Sequence, residues 1–82
     1  MFHTYILLSE RTNKFYIGST VNIDNRLERH NCGRSKATKA GIPWVLVYSE
    51  SFSTRSEAIR RELELKGWKS HQRISNLIQS EK

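Results

Sequence analysis

One carboxylate occupies a position made for a hydrocarbon. Thr54-Arg55-Ser56-Glu57 is a capping box, and it opens a helix that should end near Gly67. With a period of 3.6 residues, Ala58, Ile59, Leu63 and Leu65 form one apolar arc, and Glu62 falls at its centre. Lys66 lies beside Glu62, while Arg60, Arg61 and Glu64 take the opposite side. A carboxylate in a packing stripe is costly unless it is paired, metal-bound or in a wet cleft. Lys66, four residues on, offers a simple pair. A metal or a cleft makes Glu62 a functional residue instead.

An earlier helix carries a second pairing. Asn22 can cap a helix running to about Asn31, with Ile23 and Leu27 facing inward. Arg26 and His30 are four apart on one edge, so both can point at a single site. Arginine offers a planar fork for phosphate oxygens, and histidine hydrogen-bonds or moves a proton near neutral pH. The plainer reading is a solvated helix face, since Glu28 and Arg29 are charged too. Two tyrosines complete the set. Any antiparallel register whose paired numbers sum to an odd value puts Tyr5 and Tyr16 on one face. Gly18 shares that face and leaves room for a backbone or a ligand to approach. Phe15 and Ile17 face the other side.

The elements that must position these groups follow from pattern. Phe2 to Leu8 and Phe15 to Ser19 read as strands joined by the polar turn Ser9-Glu10-Arg11-Thr12-Asn13-Lys14. A loop from Cys32 to Pro43 contains Arg34, Lys36 and Lys39 and no acid. Trp44 to Phe52 is a third strand, and Ser70 starts a last helix through Leu77 and Ile78. The order ββαβαα describes an α+β domain with a small three-stranded mixed or antiparallel sheet flanked by helices. At 82 residues the chain is expected to be one domain over 1–82. Fourteen Lys and Arg against eight Asp and Glu give +6, which favours an anionic partner such as nucleic acid. No apolar run has the length of a membrane span, and the N-terminus lacks the features of a signal peptide. A lone Cys32 excludes an internal disulfide and fits a reducing, cytoplasmic setting. His3, His30 and His71 make no zinc spacing with it.

Taken in order, Tyr5, Tyr16-Ile17-Gly18, Arg26, His30 and Glu62 resemble the GIY-YIG nuclease family. The resemblance runs from about His3 to Asn76. The second triplet, Tyr16-Ile17-Gly18, matches in full, whereas the first reads His3-Thr4-Tyr5 and keeps only its tyrosine. The segments from Asn25 to Asn31 and from Glu57 to Glu62 suit the family, and Asn76 falls where many members carry a structural asparagine. The chain looks most like the small stand-alone bacterial members and, more distantly, like the N-terminal nuclease domain of the repair protein UvrC. Ser19 departs from UvrC-type members, which often carry lysine after the glycine.

The resemblance implies a metal-dependent DNA endonuclease that hydrolyses phosphodiester bonds, with repair or recombination as its setting. Glu62 would be the sole protein ligand of one Mg²⁺ or Mn²⁺, and Arg26 would hold the scissile phosphate. Tyr16 would orient or deprotonate the attacking water. His30 would accept its proton or only hydrogen-bond a tyrosine, and Tyr5 would bond a phosphate or the water. Lys66 would contact phosphate or merely pair with Glu62. Arg34, Lys36 and Lys39 would follow the DNA backbone or simply be solvated. Trp44 and Trp68 are better assigned to packing than to base stacking. The alternative is a non-catalytic nucleic-acid-binding module, or a nuclease subunit that needs a protein partner or a second copy.

Overall fold

A tight polar turn pairs the first two strands, and the third closes on the free side of the first. A computed structural model describes residues 1–80. Strand β1 (Phe2–Ser9) is central, with β2 (Phe15–Thr20) on one side and β3 (Trp44–Phe52) on the other. Both pairings are antiparallel, so the sheet is purely antiparallel rather than mixed. Asn13, at φ 62°, makes the reversal between β1 and β2.

Register decides which side chains share a face. Tyr5 pairs with Gly18 and Leu7 with Tyr16, so both tyrosines lie on one face with Gly18. Helix α1 (Ile23–Asn31) covers that face, and Ile23 and Leu27 pack against a core of Tyr5, Leu7 and Trp44. Helices α2 (Arg55–Trp68) and α3 (His71–Ser80) cover the other, over Ile6, Tyr48, Leu65 and Ile74. In β3 the register shifts opposite Ile6 and Leu7, leaving Val47 as the extra residue. This bulge sends Trp44 to one core and Tyr48 to the other, although strict alternation would give them one face.

Both helix caps read from the sequence are formed. Asn22 accepts from the amide of Asn25, and the Thr54–Glu57 capping box is complete. Helix α2 passes through Gly67 and stops at Lys69, which takes the left-handed conformation at φ 48° and ψ 34°. The phase of α2 differs from the expected stripe. Ala58 and Leu65 are buried, whereas Ile59 and Leu63 are 40% and 62% exposed. Arg61, expected on the outer side, turns inward instead: its guanidinium forks onto Glu50 of β3 and reaches Glu64 at 2.8 Å. Burial acts to lower its pKa, but the bonds to Glu50 and Glu64 outweigh that and raise it. Among the described residues, no helix is long and apolar enough to cross a membrane.

Candidate active site

The site forms where α1 and α2, on opposite faces of the sheet, reach the outer strand β2. The first turns of α1 present Arg26 and the last turn presents His30. His30 is 3% exposed and is held from both ring nitrogens. Its Nδ1 lies 2.8 Å from Oγ1 of Thr38, which in turn donates to the carbonyl of Ser35. That direction makes Nδ1–H the donor and leaves the Nε2 lone pair facing the Tyr5 hydroxyl at 3.3 Å, a tautomer inferred from the bonding pattern. The Tyr16 ring sits 4.7 Å from the His30 ring and 6.4 Å from that of Tyr5, centroid to centroid.

Electrostatics assign different protonation states to the two partners. Burial, then the nearby Tyr16, pushes the Tyr5 hydroxyl up to about 12, with Arg26 acting in the opposite direction. Tyr5 therefore stays protonated and donates. Burial, then the charges of Arg26 and Arg29, lowers the pKa of His30 below its ordinary 6.5. The imidazole is neutral at pH 7, and its Nε2 lone pair accepts from the Tyr5 hydroxyl.

On the other side of β2, Glu62 is half-buried and doubly held. Ser19 donates its hydroxyl to Oε1 at 2.8 Å, and Lys66 donates to Oε2 at 2.6 Å. The paired reading of Glu62 thus holds, with both carboxylate oxygens bonded. Ser19 orients this carboxylate. Among the described residues, no group of three His, Cys, Asp or Glu side chains converges as a metal cluster. A lone carboxylate still fits Mg²⁺ or Mn²⁺, hard cations that keep several waters and take phosphate oxygens as further ligands.

Several expected residues stand elsewhere. Gly18 is not an opening for DNA: a Cβ there would lie 2.6 Å from the Tyr5 hydroxyl, so the close approach is made by Tyr5 itself. Arg34, Lys36 and Lys39 are exposed, but their loop is tied down. It contains a 3-10 turn over Lys39–Gly41, and Thr38 is 1% exposed. Trp44 is core, donating from Nε1 to the Thr38 carbonyl. Asn76 is exposed on α3 and accepts from Gln72. Thr38 and Ser19 are the site residues that sequence reasoning missed. Neither carries a local signal, because the partner of each lies on a different element.

Two tyrosines, an arginine–histidine pair and a lone carboxylate thus lie around the edge of a three-stranded antiparallel sheet. The chain belongs to the GIY-YIG family of nucleases, matching its catalytic domain over residues 1–75. It is 41% identical over 73 residues to the UPF0213 protein SH2523 of Staphylococcus haemolyticus, covering 88% of this chain and 89% of that one. It is 38% identical over 68 residues to the UPF0213 protein VNG_2274C of Halobacterium salinarum, covering 80% and 86%. The solution NMR structure of the UPF0213 protein BH0048 from Bacillus halodurans shares the fold, with a TM-score of 0.59 and 31% identity over 96% of this chain and 84% of that one. The expected likeness to small stand-alone bacterial members of the family thus holds.

Proposed function

We propose that the protein is a metal-dependent DNA endonuclease that nicks one strand, acting in the cytoplasm in DNA repair or recombination. One observation carries this reading: Tyr5 and His30 bond on one side of β2, Ser19 of the same strand holds Glu62 on the other, and Arg26 shares a cleft with Ser19. Glu62 would hold a single Mg²⁺ or Mn²⁺, which supplies Lewis-acid stabilisation of the departing 3′-oxygen. Lys66, which donates to Oε2, would have to release that oxygen to the ion, and its ammonium would then be free to contact the substrate phosphate. Arg26 holds the scissile phosphate and offsets the charge that grows on it. Tyr16, half-exposed over the His30 ring, positions the water. The water's proton passes to the Tyr5 oxygen as the Tyr5 proton moves to Nε2 of His30, which ends as imidazolium.

The test is cleavage of supercoiled plasmid and branched DNA with Mg²⁺ or Mn²⁺. Glu62→Ala and Arg26→Ala should each cut at least about 100-fold more slowly than the wild type, the scale on which one aligned transition-state contact is lost. DNA binding without cutting by the wild type would favour a non-catalytic module or a subunit that waits for a partner. Undiminished cutting by Glu62→Ala would remove that residue from the site.

A further inference from the structure

A cleft of about 130 Å³ opens beside the site, between the end of β2 and the first turns of α2. Its walls are Phe2, Ser19, Val21, Arg26, Arg55 and Ile59, with Thr20 and Ala58 behind. Two of these belong to the site already described: Arg26, and the Ser19 whose hydroxyl holds Glu62. The cleft is small against the roughly 300–1,000 Å³ of sites that bury a drug-sized ligand, but its flat aromatic and aliphatic walls suit one planar ring. The guanidinium of Arg55 lies 5.6 Å over the Phe2 ring. Val21 and Ile59, at 57% and 40% exposed, form an apolar rim. No carboxylate lines the cleft among the described residues, and two arginines do.

We propose that this cleft seats one unstacked nucleobase of the DNA strand whose neighbouring phosphate is held by Arg26. Phosphate contacts alone would need arginines and no apolar wall. An apolar wall alone would not be flanked by two guanidiniums. A base on its sugar-phosphate needs both, a π-face or aliphatic surface to stack on and cations for the adjoining backbone. The substrate is therefore DNA in which a base can leave the stack, such as a single strand, a flap or a mismatch. This deepens the nuclease reading and rests on it for the identity of the strand.

The experiment is fluorescence anisotropy with the full chain, without divalent cation, at one ionic strength. Two labelled strands of equal length are compared: oligothymidylate, and a strand of the same phosphates in which every base is replaced by a tetrahydrofuran abasic unit. The wild type should bind the base-bearing strand about tenfold more tightly. Ile59→Ser and Val21→Ser, which remove apolar wall, should each narrow that ratio to about twofold, on the same stacking scale. Arg55→Gln should weaken binding of both strands alike, since both carry the same phosphates. Leu63→Ser, an equivalent change on α2 outside the cleft, should leave the ratio intact. Equal wild-type affinity for the two strands would overturn the proposal. So would a ratio that survives in Val21→Ser, or one that Leu63→Ser abolishes equally. Circular dichroism confirms that each variant folds, and Val21→Ser decides if Ile59→Ser does not. Adding Mg²⁺ to the same strands separates the two readings. Base-dependent affinity without cutting sinks the nuclease and keeps the cleft, and cutting without base dependence does the reverse.

Discussion

His30 can take a proton only while it is neutral, and its surroundings keep it so. Burial comes first, then the positive charges of Arg26 and Arg29, and all three lower its pKa from 6.5. The sign is the same for activity and for stability. Below 6.5 the unfolded chain protonates His30 before the folded chain does, so the folded state loses stability as pH falls through the window down to the lowered value. Within that window the native imidazole remains a base. Cleavage by the wild type should therefore hold at pH 6.5 and decline only in more acidic buffer. Arg29 is exposed on α1 and outside the reacting set, so Arg29→Gln removes one of the three causes without touching the chemistry. A pH–rate profile of that variant should show its acid limb at higher pH than the wild type. A limb that does not move would mean that His30 is not the titrating base.

At the scale of the elements, α2 shows how far a one-dimensional pattern reaches. The Tyr5–Tyr16 face could be read because parity of register alone settles it, and the Arg26–His30 edge because it is internal to one helix. The phase of α2 could not. Its inward face is Ala58, Arg61, Glu62, Leu65 and Trp68, and two of these are charged. Their burial is tolerated because Glu50 on β3 and Ser19 on β2 meet them. Those partners are distant in sequence, so a periodicity argument assigns the face to Ile59 and Leu63 instead. The same holds for the bulge at Val47 and for Thr38, whose burial follows from the positions of His30 and Trp44. Gly67 illustrates a subtler misreading, since it looks like a helix stop yet lies inside α2, with nothing within 4 Å of a Cβ built upon it. Glycine there costs backbone entropy and serves no close approach. Gly67→Ala should stabilise the fold by about 0.5–1 kcal/mol, a rise of several degrees in melting temperature for a domain of this size. An unchanged or lower melting temperature would show that Gly67 has a role in the turn at Lys69.

For the whole molecule, the +6 charge matters through where it is placed. Arg26 and Arg55 line the cleft at one end of β2, and Lys66 and Lys69 border a groove with Tyr16 and Ile17 at the other. A strand laid along this edge passes Glu62 between two cationic ends. Arg34, Lys36 and Lys39 stand apart, exposed on the loop that also carries Thr38. Because Thr38 fixes His30, that loop is anchored at its centre and presents its cations from a defined place. Such charges position a backbone without reading its sequence, and each neutralised phosphate of a duplex steepens the salt dependence of binding by about 0.9 in log K against log salt. Replacing all three with glutamine should make that slope shallower by about 2–3 for duplex DNA. Saturated nicking should be unchanged, because none of the three touches the reacting groups. Binding isotherms across a salt series measure the slope, and single-turnover cleavage measures the chemistry. An unaltered slope would leave the loop solvated and place the whole electrostatic footprint on the β2 edge. A lost rate at saturation would mean that the loop acts through Thr38 on His30 rather than on the DNA.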